Sequence, residues 1–436
     1  MAACASVSLA LLTDLYELTM AYGYWRAGKA RQQAVFHLYF REEPFGGAYA
    51  IAAGLEPAIE YLRALRFTTE DLDYLASTQQ FPDDFLRFLG ELRFSCDVDA
   101  IPEGTVVFAM EPLLRVRGSI LKAQIVETAL LNFINFQTLI ATKAQRIVWA
   151  ARGDAVIDFG LRRAQGKDGA LAATRAAFIG GVGSTSNVLA GAVYGIPVKG
   201  THAHSWVMSF DSELEAFEKW AEVMPEASLF LVDTYDTLKG VEHAIEVGKG
   251  LRDRGHRMLG IRLDSGDLAP LSIEARKMLD AAGFDDAVIA ASNELDEHAI
   301  VELKRAGAAI HLWGIGTRLI TAFDQPALGG VYKLSAVQDD RGEWQGRVKR
   351  AIHKQSIPGI LQVRRSANGD VIYDQSRGNS RANGEDLLVP IFRDSQLLYH
   401  SPPLAAISAH RERDFARFPE GMKRFENPDR WPVAIE

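Results

Sequence analysis

The chain has 436 residues, of which 48% are hydrophobic and 24% charged, and its formal net charge is −8. This composition is typical of a globular protein, and the length favours two domains over one. The negative charge and the lack of a long lysine- and arginine-rich run argue against nucleic acid as the main partner, and a count of two cysteines, Cys4 and Cys96, excludes a disulfide scaffold.

The apolar N-terminal segment, MAACASVSLALL, does not have the pattern of a signal peptide. It carries no positively charged side chain, and its apolar run ends at Thr13 and Asp14. No run of about 18 apolar residues occurs elsewhere, so the sequence predicts no transmembrane helix and no membrane partner. Together with the low cysteine content, these features predict a cytoplasmic protein.

The first 120 residues mix helix and strand patterns. Residues 14–26, 51–65 and 69–75 have the periodicity of helices, and VFHLYF at 35–40 alternates as a strand does. The segment 105–116 predicts two short strands separated by a Glu-Pro break. We therefore expect this part of the chain to belong to an α+β domain.

From about residue 150 to residue 335, short apolar runs alternate with amphipathic segments. The runs are AVIDFG (155–160), IPVKG (196–200), LFLVD (229–233), MLGIRLD (258–264), VIAAS (288–292), IHLWGIG (310–316) and VYKLSAV (331–337). Such runs are typical of strands that are buried on both faces, and the alternation predicts parallel strands joined by crossover helices. Seven strands at this spacing predict an α/β class fold with an irregular, TIM-like barrel.

After about residue 340 the pattern changes to short strands separated by glycine and asparagine turns. The strand-like runs are RVKRAI (347–352), GILQVRR (359–365) and DVIYD (370–374). We predict that the two chain ends fold together as a second, mostly β domain. The predicted boundaries are 1–120 and 338–436 for the two parts of that domain, and 121–337 for the barrel.

Six of the predicted strands end in glycine or in polar residues. The segments are FGLRR, KGTHAHS, VDTYD, RLDSGD, ASNE and GIGT. In a barrel of this kind the residues after the strands line the mouth of the active site, and polar groups gathered there are costly to bury without a use. Each segment alone is equally compatible with a strand stop or a helix cap, but six in series favour an active-site rim.

Two of these segments have the chemistry of ribose and phosphate binding. In RLDSGD, Asp264 and Asp267 can bind a magnesium-bound diphosphate or a pair of ribose hydroxyls, and Arg262 can pair with a carboxylate or a phosphate. In GIGT (314–317), two glycines let the backbone approach a phosphate closely. The alternatives are an Asx turn in the first segment and a tight turn in the second.

A pair of histidines, His202 and His204, follows another predicted strand. A zinc site would need further cysteines or histidines nearby, so we interpret one of them as a nucleophile that accepts a phosphoryl group. The alternative is a structural histidine. Arg162 is a further candidate for phosphate binding, and the glycine- and hydroxyl-rich stretch at 180–187 predicts either a helix cap or an anion site.

Nine segments of the chain, in order and in register, resemble the nicotinate phosphoribosyltransferase family over residues 11 to 337. They are LLTDLYELTMAYGYW (11–25), FREEPFGGAYAIAAGLE (40–56), EGTVVFAMEPLLRV (103–116), LLNFINFQTLIATKA (130–144), FGLRRAQGKDGALAATRAAFIGG (159–181), TSNVLAGAVYGIPVKGTHAHSWVMSF (185–210), LVDTYDTLKGV (231–241), GIRLDSGDLAPLS (260–272) and PALGGVYKL (326–334). A series of motifs this long makes the resemblance highly specific.

The resemblance implies a type II phosphoribosyltransferase fold, an irregular seven-stranded barrel with a domain built from both chain ends. It implies a homodimer in which the Asp-Leu-Tyr segment of one subunit reaches the site of the other. The implied reaction joins nicotinate to phosphoribosyl pyrophosphate, giving nicotinate mononucleotide and pyrophosphate, as the first step of NAD salvage from nicotinate. ATP is the implied co-substrate, hydrolysed to ADP and phosphate through a phosphohistidine, and Mg²⁺ is the implied cofactor.

The resemblance also implies residue roles. His204 matches the histidine that ATP phosphorylates, and Asp264 and Asp267 match the acidic pair that faces the ribose and the metal-bound diphosphate, with Mg²⁺ near Asp267. The remaining matches are Tyr16 and Phe159 as the two walls around the pyridine ring, Arg162 near the ring and phosphates, Thr201 and Arg262 at the nicotinate carboxylate, and Gly314, Gly316 and Thr317 in the phosphate loop. His202 departs from many relatives, and whether it shares the role of His204 stays open.

Asn187 bears on the choice between nicotinate and nicotinamide. Related nicotinamide-using enzymes carry an aspartate that accepts a hydrogen bond from the amide, and we align the uncharged Asn187 with that position. A carboxylate there would repel nicotinate, so we expect nicotinate to be the substrate. The alternatives are a nicotinamide or quinolinate phosphoribosyltransferase, a catalytically silent ligand-binding relative, and an aldolase-like barrel that uses Lys199.

Overall fold

The computed structural model describes residues 8–349 and 356–436. Cys4, the start of the apolar N-terminal segment and the second half of the predicted RVKRAI strand lie outside the described residues. The strands are β1 (Gln33–Tyr39), β2 (Ala50–Ile51), β3 (Asp97–Ala100), β4 (Val106–Val107), β5 (Leu114–Ser119), β6 (Ala155–Asp158), β7 (Ser184–Thr185), β8 (Leu229–Leu231), β9 (Gly260–Leu263), β10 (Val288–Ala291), β11 (Leu312–Ile315), β12 (Val331–Gln338), β13 (Trp344–Gly346), β14 (Leu361–Ser366), β15 (Gly369–Asp374), β16 (Glu385–Asp386), β17 (Val389–Arg393), β18 (Gln396–Leu397) and β19 (Val433–Ile435).

Helices separate most of these strands. They are α1 (Leu15–Arg26), α2 (Leu55–Ala64), α3 (Thr69–Ser77), α4 (Asp83–Glu91), α5 (Ile120–Gln124), α6 (Glu127–Ala151), α7 (Gly166–Ile179), α8 (Val188–Tyr194), α9 (His204–Val207), α10 (Glu213–Val223), α11 (Thr237–Asp253), α12 (Leu268–Ala281), α13 (Glu297–Arg305), α14 (Thr317–Ile320) and α15 (Leu404–Ala416). The predicted helices at 14–26, 51–65 and 69–75 correspond to α1, α2 and α3.

The chain divides into two compact units, Met1–Leu139 with Ala327–Glu436, and Ile140–Pro326. These bounds differ from the predicted barrel range of 121–337 at both ends. At the N-terminal end the boundary falls inside α6, a single continuous helix that offers no break in the sequence pattern. The two chain ends do share one unit, as the sequence pattern predicted.

The first unit is built around an antiparallel sheet in the order β13-β12-β1-β5-β3-β17-β18. Strand β1 lies inside it, between β12 and β5, and six of its seven residues are buried, which agrees with its mainly apolar sequence. A second sheet, in the order β16-β14-β15-β19, is formed by the C-terminal residues. The predicted strands at 359–365 and 370–374 are β14 and β15, which pair antiparallel.

Strand β12 corrects one prediction. Its sequence, VYKLSAV, was expected to be the last strand of the barrel. Instead β12 pairs antiparallel with β1, so that Val337 lies opposite Ala34 and Val331 lies opposite Tyr39. A short apolar run shows that a strand is buried but not which strand it pairs with, and here the partner is some three hundred residues earlier in the chain.

The second unit contains a parallel sheet in the order β7-β6-β11-β10-β9-β8. Five of its strands were predicted as apolar runs, and β7 lies in the stretch that was read as a glycine-rich loop or cap. The run at 196–200 makes only a single parallel bridge, between Val198 and Thr185. Nearby, the Thr201 hydroxyl donates to the carbonyl of Leu229 in β8. The 198–201 segment thus contacts both edge strands of the sheet.

Several polar residues at the strand ends are helix caps, as the simpler interpretation expected. The Asp236 carboxylate accepts from the Lys239 amide at 2.9 Å at the start of α11. At the start of α13, Asp296 accepts from the amides of His298 and Ala299 at 3.0 and 2.9 Å. These caps satisfy amide groups that have no partner within the helix.

One helical stretch, Ile120–Ala151, is long and apolar enough by composition to cross a membrane. Its most apolar window has a mean hydropathy of 1.2, and 61% of that window is buried within the protein. Such burial is typical of a core helix, and the stretch carries the charged residues Lys143 and Arg146, both buried. It is therefore weak evidence for a membrane span.

Candidate active site

A cavity of about 320 Å³ lies in the second unit, at the carboxyl ends of the parallel strands. Residues that follow β6, β9, β10 and β11, together with the segment at 200–204, form its walls. Nine of the twelve predicted site residues line it: Phe159, Arg162, Thr201, His204, Arg262, Asp264, Gly314, Gly316 and Thr317. The strand ends therefore converge as parallel-strand topology requires.

His204 begins the short helix α9, and its ring is held by several polar groups. Its Nδ1 atom lies 3.1 Å from the Thr234 hydroxyl oxygen. Its Nε2 atom lies 3.7 Å from a carboxylate oxygen of Asp264 and 4.0 Å from one of Asp233. The side chain is 37% exposed, so one face of the imidazole is open to a ligand.

Asp233 supports the loop that carries Asp264 and lies beside His204. It follows β8, and its buried carboxylate accepts from the Asp264 amide at 2.9 Å and from the Ser265 hydroxyl at 2.6 Å through the same oxygen, Oδ2. Its other oxygen, Oδ1, is buried without a hydrogen-bond partner and faces His204. Asp233 thus positions the loop that carries Asp264 and leaves one carboxylate oxygen available beside the histidine.

His202 occupies a different environment from His204. Its ring is 5% exposed and packs against the rings of Phe217, Trp220 and Phe230. Burial lowers the pKa of His202 to about 4, so the ring is uncharged at neutral pH. This packing is that of a core histidine, which favours His204 as the reactive one.

Arg262 is a half-buried cation that lacks a full set of partners. It lines the cavity, and its Nε atom is buried with no hydrogen-bond partner. Burial lowers the pKa of Arg262, although Asp264 and Asp233 oppose the shift. A guanidinium with an unused donor at a cavity wall suits an anionic ligand, because carboxylates and phosphates accept two parallel hydrogen bonds from arginine.

Phe159 forms a flat wall of the cavity. A Cβ atom added at Gly314 would lie 2.5 Å from the Phe159 ring, so this position in β11 accommodates only glycine. The preceding residue, Asp158, fixes the turn by accepting from the Gly160 amide at 2.7 Å and from the hydroxyls of Thr174 and Thr185 at 2.9 Å. The ring is therefore held in place from both sides.

Three predicted site residues do not line this cavity. Asn187 is buried, its Oδ1 accepting from the Ala190 amide at 3.1 Å to cap α8 and its Nδ2 donating to Thr174 at 3.3 Å, and Ser186 lines the cavity instead. Asp267 stands at the N-terminal cap position of α12. Tyr16 belongs to α1 in the first unit, where its side chain is 45% exposed.

A larger cavity of about 560 Å³ adjoins the first one within the second unit. Phe159, Thr201, Arg262 and Gly314 line both cavities, and the remaining walls of the larger one are mainly small aliphatic residues of the strands. In the described part of the chain, no group of three or more His, Cys, Asp or Glu side chains is arranged to hold a metal ion by itself.

Comparisons with known proteins match this chain to one family. The model described as the nicotinate phosphoribosyltransferase N-terminal domain matches residues 11–135, the family model matches residues 155–362, and the C-terminal domain model matches residues 373–436. A nicotinate phosphoribosyltransferase of Bacillus subtilis is 44% identical over 98% of this chain and 93% of its own length. This chain belongs to the nicotinate phosphoribosyltransferase family.

Other relatives agree with this assignment. A nicotinate phosphoribosyltransferase of Mycobacterium tuberculosis is 44% identical over 98% of this chain and 91% of its own length. The crystal structure of human nicotinic acid phosphoribosyltransferase matches with a TM-score of 0.85, 33% identity and 98% coverage of both chains. The structure of a nicotinate-nucleotide pyrophosphorylase from Pyrococcus furiosus shares the fold, with a TM-score of 0.77 over 94% of this chain and 96% of its own.

Membership of the nicotinate phosphoribosyltransferase family extends further along the chain than the sequence motifs indicated. The resemblance ended at residue 337, whereas the C-terminal domain model reaches residue 436. The sequence interpretation also missed the role of Asp233 and three cavity residues after β10, Ser292, Asn293 and Glu294. Their signal was present in the strand-end segments VDTYD and ASNE, but without a defined motif they could not be told from caps.

Proposed function

We propose that this protein transfers the phosphoribosyl group of phosphoribosyl pyrophosphate to nicotinate, that the transfer is coupled to ATP hydrolysis, and that His204 carries the phosphoryl group. Family membership supports the transferase activity, which belongs to NAD biosynthesis from nicotinate. The choice of nicotinate as the substrate rests on one observation: the Nε donor of Arg262 has no partner, and Arg262 lines the same cavity as the flat ring of Phe159. An aromatic carboxylate fits this pairing of a ring wall with a cation.

The transfer step needs positioning rather than a base. The lone pair of the pyridine nitrogen forms a bond to C1 of the ribose, while the bond from C1 to the pyrophosphate oxygen breaks and that oxygen keeps the electron pair. Phe159 stacks on the ring and Arg262 donates to the carboxylate, while Thr201, whose hydroxyl donates to the Leu229 carbonyl, lies beside it. Asp264 faces the positive charge that develops on the sugar, and Thr317 donates to a phosphate oxygen.

The Mg²⁺ that the family implies suits the oxygen donors of this site. Asp264 and the unpartnered Asp233 oxygen are hard ligands, and their small number fits a cation that arrives bound to diphosphate rather than one held by the protein alone. Mg²⁺ would supply charge neutralisation on the leaving diphosphate. Asp267 was predicted near this ion and stays a weaker candidate than Asp264, which lines the cavity. Asp233 does not line the cavity either, but its unpartnered oxygen lies 4.0 Å from the ring of His204, which does.

The surroundings of His204 support the proposed phosphohistidine step. An imidazole nitrogen attacks the terminal phosphorus of ATP, the bond to the ADP oxygen breaks, and a nitrogen–phosphorus bond forms that water later hydrolyses. Thr234 orients the ring through Nδ1, and Asp233 and Asp264 fix its other side. The substitution His204→Ala should abolish stimulation by ATP and leave slow, uncoupled transfer; His256→Ala, at a surface pair with Glu226, is the control.

A homodimer fits the exposed apolar residues at the start of α1. Leu15, Tyr16 and Met20 are 50%, 45% and 37% exposed, and we propose that a second copy covers them and receives Tyr16 as the second wall of its ring site. Mixing the Tyr16→Ala and His204→Ala variants tests this, because one intact site should form in each mixed dimer. ATP-stimulated activity should return to about a quarter of the parent level. No return after exchange of subunits would contradict the shared site.

Two further expectations complete the proposal. The 198–201 segment contacts both edge strands of the parallel sheet, which supports closure into an irregular seven-stranded barrel. A cytoplasmic location is proposed from the low cysteine content of the chain. Fractionation of cells that produce the protein would test the location.

The deciding experiment measures mononucleotide formation from phosphoribosyl pyrophosphate with nicotinate or nicotinamide, each with and without ATP. We expect turnover of nicotinate, stimulated by ATP. Faster turnover of nicotinamide would overturn the substrate choice, which now rests on Arg262 and the uncharged Ser186 rather than on Asn187. No turnover of either compound, with phosphoribosyl pyrophosphate still bound, would favour a silent ligand-binding relative.

A further inference from the structure

Asn293 has the most unusual backbone conformation among the non-glycine residues at the cavity. Its φ angle is 128°, whereas the other non-glycine residues with positive φ in the described chain lie between 45° and 72°. Angles near 57° form the left-handed region that asparagine tolerates well, but 128° lies in a region that is essentially restricted to glycine. Asn293 is therefore strained even for an asparagine.

The position of Asn293 in the sheet places it between two substrate-binding segments. It follows β10, which lies between β9 and β11 in the sheet. Asp264 follows β9, and Gly316 with Thr317 follows β11, and all of these residues line the same cavity. The preceding residue, Ser292, donates a hydrogen bond to Asp264. Asn293 thus stands between the acid at the ribose position and the phosphate loop.

The side chain of Asn293 has no structural task that would explain the strain. It is exposed, and it makes no hydrogen bond to another residue in the described ranges, whereas its carbonyl accepts from the Leu295 amide at 2.8 Å. Glycine would give the same turn without strain. Strained residues that persist at cavities are commonly those whose side chain is used there.

We propose that Asn293 is a substrate-binding residue whose side-chain amide donates to oxygen atoms of the phosphoribosyl group. This inference rests on the proposed function, because it assigns a binding role for that substrate. The neutral amide can donate to a ribose hydroxyl or to a phosphate oxygen without adding charge next to Asp264. Neither the sequence motifs nor the carried-over family roles included this residue.

Two variants distinguish the binding role of the Asn293 side-chain amide from the effect of its strained backbone. Asn293→Gly relieves the strained φ angle, so the melting temperature should stay equal or rise. The same change removes the side-chain amide, so KM for phosphoribosyl pyrophosphate should rise about tenfold, as expected for the loss of a hydrogen bond to a charged group. Asn293→Asp keeps the shape but replaces a donor with a negative charge, so KM should rise further. KM for nicotinate should change much less in both variants.

The matched control is Arg152→Gly. Arg152 is an exposed residue of the same unit with a φ angle of 50°, and it does not line the cavity, so glycine there relieves backbone strain without touching substrate. Steady-state kinetics are read beside calorimetric binding of phosphoribosyl pyrophosphate alone. An unchanged KM in Asn293→Gly, or a raised KM in Asn293→Gly with an unchanged one in Asn293→Asp, would overturn the role of the amide. A parent protein that neither binds phosphoribosyl pyrophosphate nor turns over would instead overturn the proposed function together with this inference.

Discussion

Two arginines, one in each unit, differ in how acids surround them: Arg365 is buried and Arg262 is half-buried. Arg365 in β14 is held by Asp370, with Nη2 2.6 Å from Oδ2, and Asp414 lies 3.5 Å from its Nη1 atom. The rings of Phe108 and Phe418 lie 5.4 and 5.2 Å from its guanidinium carbon. Burial opposes its charge, yet the surrounding acids outweigh burial and raise the pKa of Arg365.

Arg262 shows the opposite balance. Burial lowers the pKa of Arg262 even though Asp264 and Asp233 favour its charged form, and its Nε atom has no partner. Both arginines have one buried nitrogen without a hydrogen bond, Nη1 in Arg365 and Nε in Arg262. Arg365, however, forms ion pairs with acids of its own unit, whereas Arg262 forms no ion pair in the described residues. The difference agrees with the proposal that an anionic substrate pairs with Arg262.

The largest expected effect is a loss of stability when the ion pairs of Arg365 are removed. Arg365→Leu leaves Asp370 and the buried Glu111 without a cation and leaves Asp414 with only the exposed Arg417, and we expect a loss of about 3–5 kcal/mol in the free energy of unfolding. Urea denaturation measures it, with Arg377→Leu as the control, because Arg377 makes only a surface pair with Asp374 and should matter by less than about 0.5 kcal/mol. Equal urea midpoints for the two variants would show that the Arg365 cluster is not what holds β14 in place.

The next effect is on catalysis and should leave stability almost unchanged. Arg262→Met removes the cation expected at the nicotinate carboxylate, a charge-assisted interaction of about 1.5–3 kcal/mol, so kcat/KM for nicotinate should fall by about 10- to 100-fold. Because Arg262 is incompletely paired, the urea midpoint should not fall as it does for Arg365→Leu. Arg257→Met, at an exposed residue of the larger cavity, serves as the control. Unchanged kinetics would remove Arg262 from the binding site.

Much of the catalytic unit could be predicted from the sequence, because parallel strands buried on both faces have a distinctive composition and their ends meet at one edge. The strand-end segments that carry His204, Arg262 and Asp264 were therefore predicted to meet at one edge of the sheet. The same reasoning could not place β12, because antiparallel pairing with β1 depends on a contact between distant parts of the chain. Hydrophobic runs carry no information on that partner.

The distinctions between neighbouring residues at the site could not be drawn from the sequence. Asn187 and Ser186 are neighbours, and only the geometry of α8 decides that the asparagine caps the helix while the serine lines the cavity. His202 and His204 share a motif, and only the aromatic packing around His202 separates their roles. The strain at Asn293 is a backbone property that no side-chain pattern shows.

A smaller effect is expected on the pH dependence of stability. It comes from Glu17, a buried acid without a cation, whereas Arg262 is a cation without an ion pair. Glu17 in α1 is fully buried, its carboxylate accepting from the Thr13 hydroxyl at 2.6 Å and from the Thr128 amide at 2.9 Å. Burial raises the pKa of Glu17 from 4.5 to about 7 despite these hydrogen bonds. Because the folded state binds the proton more tightly than the unfolded chain, this group's contribution to stability is complete below about pH 4.5 and is lost as the pH rises through about 7.

Glu17→Gln should therefore remove that part of the pH dependence, since glutamine keeps the shape of the side chain and cannot ionise. We expect the stability advantage of the variant over the parent to be about 2–3 kcal/mol larger at pH 8 than at pH 5, measured from urea denaturation at the two pH values. Glu60→Gln, at an exposed residue of α2, should show no such difference. A variant that is less stable than the parent at pH 8 would mean that the ionised carboxylate of Glu17 is needed to hold Thr13 and Thr128. The hydrogen bonds to the carboxylate would then outweigh the cost of burying its charge. The same balance holds at Arg365, where the surrounding acids outweigh the cost of burying the cation.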